Sequence, residues 1–217
     1  MSKSRFTGEE RYRQIIEKAA EVFSIKGVAL TKIRDVTEAC GINDALLYRY
    51  FPSKDELYRE AMIYSYDQAM GGFEAVGRAI PNSLLALVAV TRAVLRHLLG
   101  NPVLAANMWH GVAATGNDPV MRQLVIDRFG RWHGFLVELV KRGQQSGAIK
   151  ADVDPDRVAW FVRGLIWCFI LTIFLSDDEQ VKETVREPEE FCRVLFEQLA
   201  VDPAGMLDQC LDILKSE

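Results

Sequence analysis

Apolar residues recur at three- and four-residue intervals along almost the whole chain, and nowhere do they alternate over the length a strand needs. This periodicity predicts helices at 9–26, 31–39, 44–51, 54–73, 82–99, 102–114, 118–146, 155–175, 188–201 and 203–214. The breaks between them have their own chemistry. Gly27, Gly41 and Gly147 suit the positive-φ residue that closes a helix. Pro52, Pro81, Pro102, Pro119, Pro155, Pro188 and Pro203 stand where a helix begins and its first N–H has no partner to lose. Ser53 and Glu56 form a capping-box pattern, and Asp154-Pro155-Asp156 reads as a capped helix start. The fold class is all-α: a three-helix head, residues 1–53, followed by a larger helical body, residues 54–217.

Within the head, Ile16, Ala19, Ala20 and Phe23 make a stripe wide enough to seat two small helices. The second helix is expected to begin after Thr31 as N-cap and to turn Ile33, Val36 and Ala39 inward. The third begins at Asn43, another good N-cap, and directs Leu47 and Phe51 to the core. The four residues Cys40-Gly-Ile-Asn43 between them complete a helix-turn-helix pattern. That spacing also occurs in plain helical corners. The third helix carries more information, because it leaves Asp44, Tyr48, Arg49 and Tyr50 for outside work. Tyrosine hydroxyls and arginine are frequent donors to phosphate.

Charge supports an anionic partner for the head. The 217 residues carry a net −4, but residues 1–54 hold a net +3 and the remainder a net −7. Composition excludes other classes. With 49% hydrophobic and 26% charged residues the chain is neither disordered nor collagen-like, and 15 Gly and 7 Pro are too few for a turn-rich β sandwich. Cys40, Cys168, Cys192 and Cys210 lack motif spacing and are expected to be buried, reduced thiols of a cytoplasmic protein. The first ten residues are too polar for a signal peptide, and the apolar run 159–175 carries Arg163 and is short for a membrane span.

The stretch 15–58 closely resembles the DNA-binding head of the tetracycline-repressor (TetR) family of bacterial transcription regulators. The matching elements are I-x-x-A-A-x-x-F from Ile16, Lys26-Gly27, T-x-I-R-D-V from Thr31, A-x-G-I from Ala39, L-Y-x-Y-F from Leu47, and F-P-S-K-x-E-L from Phe51. The resemblance implies a dimeric regulator, a repressor by family default, whose recognition helix enters the major groove and whose body releases DNA when a ligand fills it. Carried onto this chain, Thr31 and Lys32 touch the DNA backbone, Asn43, Asp44, Ala45 and Leu46 lie nearest the bases, and Tyr48, Tyr50 and Lys54 hold phosphates, with Arg49 alongside. Asp44 and Leu46 depart from the usual pattern. Asp44 either accepts a hydrogen bond from cytosine N4 or simply complements the helix dipole, and Leu46 is able to meet a thymine methyl.

The body is dense in large, adaptable side chains: Met62, Tyr66, Met70 and Phe73, then Met108, Trp109 and His110, then Trp132 and Phe135, then Trp160, Phe161, Trp167 and Phe169. Such residues fill a helical core or line a cavity for an apolar or aromatic ligand. His110 is a candidate polar contact. The helices at 155–175 and 188–201 read as a homodimer face, the second through Phe191, Val194, Leu195, Gln198 and Leu199. No cofactor or metal is implied, since His97, His110 and His133 are far apart and phosphate-loop, nucleophile-elbow and metal-helix motifs are missing. The competing readings are a small-molecule carrier or an enzyme on a helical scaffold without DNA function.

Overall fold

The computed structural model describes residues 7–175 and 196–202. Eight helices are found among them: α1 Gly8–Leu30, α2 Ile33–Cys40, α3 Asp44–Tyr48, α4 Lys54–Ala79, α5 Ser83–Gly100, α6 Pro102–Ala114, α7 Pro119–Gln145 and α8 Pro155–Leu175. The described residues contain no strand, only one isolated antiparallel bridge between Ile149 and Ala200. Residues 196–199 are helical, and the expected helix at 188–201 ends there, because Ala200 turns into the bridge with Ile149; its earlier part, including Phe191, Val194 and Leu195, lies outside the described residues. So do the helix expected at 203–214, the loop expected at 176–187, Cys192 and Cys210.

The chain divides into two compact units, Met1–Ala69 with Pro102–Val125, and Met70–Asn101 with Ile126–Glu217. The first is built on α1. Ile15, Ile16, Ala19, Ala20 and Phe23 are buried against Val36, Leu47, Phe51, Leu57, Tyr58 and Met62. Tyr12 stacks on Phe51 with centroids 5.2 Å apart, and Phe23 meets Tyr58 edge-on at 5.1 Å. Two tyrosine hydroxyls tie α4 to α1, Tyr12 donating to Glu60 at 3.0 Å and Tyr64 to Glu17 at 2.9 Å. Helix α6 also packs on α1, so packing groups it with the head helices. Asp118 caps α7 by accepting from the Val120 and Met121 N–H groups, and Arg59 pairs with it at 2.9 Å.

In the second unit α5 is the core helix, capped by Asn82 and buried along most of its length. It is the one described helix long and apolar enough to cross a membrane, and 61% of it is buried inside the protein. Arg142 of α7 donates to Ser83 Oγ at 2.6 Å and to the Gly77 and Ile80 carbonyls at 3.1 and 3.0 Å, so it satisfies the carbonyls left open where α4 ends. Helix α8 buries Val158, Ala159, Val162, Ile166, Phe169 and Ile170, and leaves Trp160, Phe161, Leu171 and Leu175 exposed.

Four local expectations are corrected. Helix α2 starts at Ile33 with Lys32 as N-cap, because Asp35 accepts the Lys32 N–H at 2.8 Å, while Thr31 turns back and gives its hydroxyl to Gly27 O at 2.7 Å. With that start Val36, Thr37 and Cys40 face inward and Ala39 is exposed. Helix α4 does not stop at residue 73 but runs through Gly71-Gly72 to Ala79, held beyond the glycines by the Glu74–Arg78 pair and by Arg131. Cys40 is buried as expected, but Cys168 is exposed, on the outer side of α8.

Candidate nucleic-acid interface

The helix-turn-helix is set by two positions. Gly41 adopts φ 65°, ψ 37°, a left-handed conformation that closes α2 at little cost only for glycine. Asn43 then caps α3, its side-chain oxygen accepting the Leu46 N–H at 2.8 Å, a contact worth about 1 kcal/mol. Leu47 is fully buried, and Phe51 follows it inward, its N–H bonded to Leu47 O at 3.0 Å. Anchored by those two residues, the five-residue α3 presents Asn43, Asp44, Ala45, Tyr48 and Arg49 to solvent, with Leu46 and Tyr50 half-buried. Tyr48 is 49% exposed. An aromatic hydroxyl and a guanidinium therefore stand exposed on one turn, without a partner among the described residues.

Of the remaining expected contacts, Lys32 is open to solvent, whereas Thr31 and Lys54 are engaged within the chain. Lys32 is exposed at the start of α2. Thr31 is 2% exposed and its hydroxyl is occupied. Lys54 is half-buried, and its ammonium donates to Val28 O at 2.8 Å and Thr31 O at 3.1 Å. It thus stabilises the carbonyl end of α1, where a cation is also favoured by the helix dipole. Gly27, at φ 70°, makes the kink just before that end. Two ion pairs brace α2: Lys26 reaches Asp35 at 2.8 Å, and Arg34 reaches Glu38 at 2.7 Å. The bond from Lys26, then the Lys32 N–H, hold the Asp35 carboxyl below its ordinary value.

One residue of the site escaped the sequence reading. Thr37, 3% exposed, donates from Oγ1 to Asp44 Oδ1 at 2.8 Å and so links α2 to α3 across the turn. The pair is seven residues apart, and no local rule announces it. Asn43 rather than Asp44 caps α3; Asp44 stands in its first turn, where a carboxylate also complements the helix dipole, and is held there by Thr37.

The nine ligand candidates fall in both units. In the first, Met62 is a member of the core around α1, Tyr66 and Met108 are half-buried, and Trp109 is 39% exposed. The half-buried His110 lies against Gly27, 3.9 Å from where a Cβ there would stand. Burial lowers its pKa, against a hydrogen bond to the Phe23 backbone that raises it. In the second unit Met70, Trp132 and Phe135 are buried. Trp132 lies 5.3 Å from Phe135 and 6.4 Å from Phe73, while Trp167 joins a separate pair with Phe129 at 5.8 Å. The described residues hold no cluster of metal-ligating side chains.

Two family models match the chain. "Bacterial regulatory proteins, tetR family" covers residues 15–61, and "Tetracyclin repressor-like, C-terminal domain" covers residues 107–188. Among curated relatives, the HTH-type transcriptional repressor KstR2 of Rhodococcus jostii is 23% identical over 164 residues, 72% of this chain and 76% of the relative. Among solved structures, a TetR-family transcriptional regulator from Cytophaga hutchinsonii superimposes with a TM-score of 0.74 at 21% identity, over 92% of this chain and 100% of that one. The transcriptional regulator FadR of Bacillus subtilis, solved in complex with stearoyl-CoA, gives 0.73 at 20% identity, over 87% and 99%. The two models together span more than half of the residues, one on the helix-turn-helix and one on the body, and the protein belongs to the tetR family of bacterial regulatory proteins, which are transcription regulators and not enzymes.

Proposed function

We propose that this regulator is a cytoplasmic repressor that binds palindromic operator DNA as a homodimer and leaves it when a small apolar or aromatic effector binds the body. One observation carries the DNA half of the reading: α3, pinned by Gly41, Asn43 and Leu47, exposes Asp44, Ala45, Tyr48 and Arg49 together. In a major groove the first turn of α3 would face base edges, with Asn43, Asp44, Ala45 and Leu46 nearest. Lys32, Tyr48, Arg49 and Tyr50 would meet phosphates and fix the register. Thr31 and Lys54 would serve from behind, by holding the end of α1 in place.

Dimerisation is supported by the outer face of α8, where Trp160 and Phe161 are 62% and 59% exposed. Large aromatic residues so placed favour a partner helix over water. The effector class is supported by Met70, Phe73, Trp132 and Phe135, buried polarizable and aromatic side chains of the second unit, with the Arg78 guanidinium over the Phe135 ring as the charged neighbour. The ligand of FadR, stearoyl-CoA, has a long apolar chain, and an apolar moiety of that kind suits such surroundings.

Selection of the full chain on randomised duplexes tests the reading. We expect an imperfect inverted repeat with half-site centres about one helical turn apart, or one turn further if paired dimers bind. A consensus lacking inverted symmetry counts against the homodimer, and no enrichment at all counts against DNA binding.

A further inference from the structure

A carboxylate on a surface that faces a polyanion needs a reason. Asp44 is not required as a cap, because Asn43 already serves α3. Its Oδ1 instead accepts the Thr37 hydroxyl at 2.8 Å. That hydroxyl has one proton and a second acceptor within reach, the Arg34 carbonyl at 3.2 Å; the shorter contact takes it. Arg34 pairs with Glu38 rather than with Asp44. The result is a carboxylate oriented by a buried residue of α2, on an exposed residue whose Oδ2 accepts from no described residue.

We infer that Asp44, positioned by Thr37, is a specificity-determining residue that accepts a hydrogen bond from the N4 amino group of cytosine in the major groove. The inference rests on the DNA-binding reading above. A carboxylate has only acceptors, so guanine O6 and N7 and thymine O4 repel it. Of the two bases with an amino donor, adenine sets the N7 acceptor beside N6, whereas cytosine offers N4 without an acceptor of its own beside it. The hydrogen bond from Thr37 restricts the rotation of the carboxylate, so Oδ2 meets a base at a defined position rather than sweeping across the groove.

The test uses the full chain and a duplex panel carrying all four base pairs at each position of the selected consensus. The unsubstituted protein should prefer cytosine at one half-site position by about five- to a hundredfold. Asp44→Asn should move that preference to adenine, because a carboxamide both donates and accepts and so matches N6 and N7. Thr37→Val, which keeps the shape and removes the donor, should flatten the preference at that position and leave the ranking elsewhere intact; Thr37→Ser should restore it. Uniform weakening at every position by Asp44→Asn, at an unchanged melting temperature, would overturn the inference and leave the DNA-binding reading standing. An unsubstituted protein that selects no sequence would overturn both.

Discussion

Glu74 has only 5% of its side chain exposed, and a carboxylate so placed survives folding only with charge-assisted partners. Arg131 supplies two contacts, Nε to Oε1 at 2.9 Å and Nη2 to Oε2 at 3.1 Å, and Arg78 a third at 3.1 Å. Burial by itself would raise the carboxyl pKa, but the two guanidinium groups outweigh it and hold the value below the ordinary 4.5. A folded pKa below the unfolded one stabilises above the unfolded value and loses that contribution as pH falls through the folded one. Asp118, lowered by the Met121 N–H and by Arg59, acts in the same window. Denaturant unfolding followed below about pH 4.5 should therefore show stability falling, with a shallower slope in Glu74→Gln. At neutral pH that variant should be weaker by roughly 1–2 kcal/mol, discounted because both arginines are about half exposed. A slope unchanged by the substitution would show that the pair contributes nothing. The same residues mark what the sequence makes readable. Asn43, Gly41 and Leu47 follow local rules of cap, turn and spacing, and each stands where those rules put it. Thr37 with Asp44, Lys54 with Val28 and Thr31, and Glu74 with Arg131 are created when distant or separated segments close on each other, and no spacing foretells them.

Helix α4 carries two instructive glycines on one element. A Cβ on Gly77 would stand 2.6 Å from Phe135 Cζ and 2.9 Å from Val90 Cγ2. The Phe135 ring has little room to yield, since Trp132 and the Arg78 guanidinium, each 5.3 Å from its centroid, flank it. Gly71 has nothing within 4 Å of the same position. Alanine in a helix gains about 0.5–1 kcal/mol over glycine, whereas overpacking costs about 1–3 kcal/mol. The two substitutions should thus have opposite signs: Gly71→Ala raising the melting temperature by about 1–4 °C and Gly77→Ala lowering it by a similar amount or more. Stabilisation by Gly77→Ala would mean that α4 and α7 are not held as close as 2.6 Å implies. These glycines also account for the missed end of α4. Read locally, Gly71-Gly72 weakens a helix, and the helix continues to Ala79 with Glu74 paired to Arg78 of its own next turn and to Arg131 of α7. By contrast α6 and α8 span the residues the periodicity indicates, because proline at each start fixes the boundary.

In the function proposed above, coupling between effector and operator is the property that makes the whole chain a regulator, and thermodynamics constrains it before any ligand is known. Helix α4 is a single element from Lys54 to Ala79 that supplies residues to both compact units. At its first residue the Lys54 ammonium holds the carbonyls of Val28 and Thr31, immediately before the exposed Lys32 and the start of α2. Further along, Met70 and Phe73 are buried in the second unit, Phe73 edge-on to Trp132. An effector that engages Met70 and Phe73 therefore acts on the helix whose first residue helps to fix the end of α1. To release DNA usefully it must prefer the DNA-incompetent state by about 2–3 kcal/mol, roughly 30- to 150-fold. The coupling is reciprocal, so operator DNA must weaken effector binding by the same factor. Titrating an effector, once one is isolated with the protein, in the presence and absence of the selected operator should give two dissociation constants differing by that ratio. Lys54→Met, which keeps the stem and removes the ammonium, should shrink the ratio while leaving effector affinity without DNA nearly unchanged. Equal affinities in the first comparison would exclude effector-driven release, and an undiminished ratio in Lys54→Met would move the coupling off this end of α4.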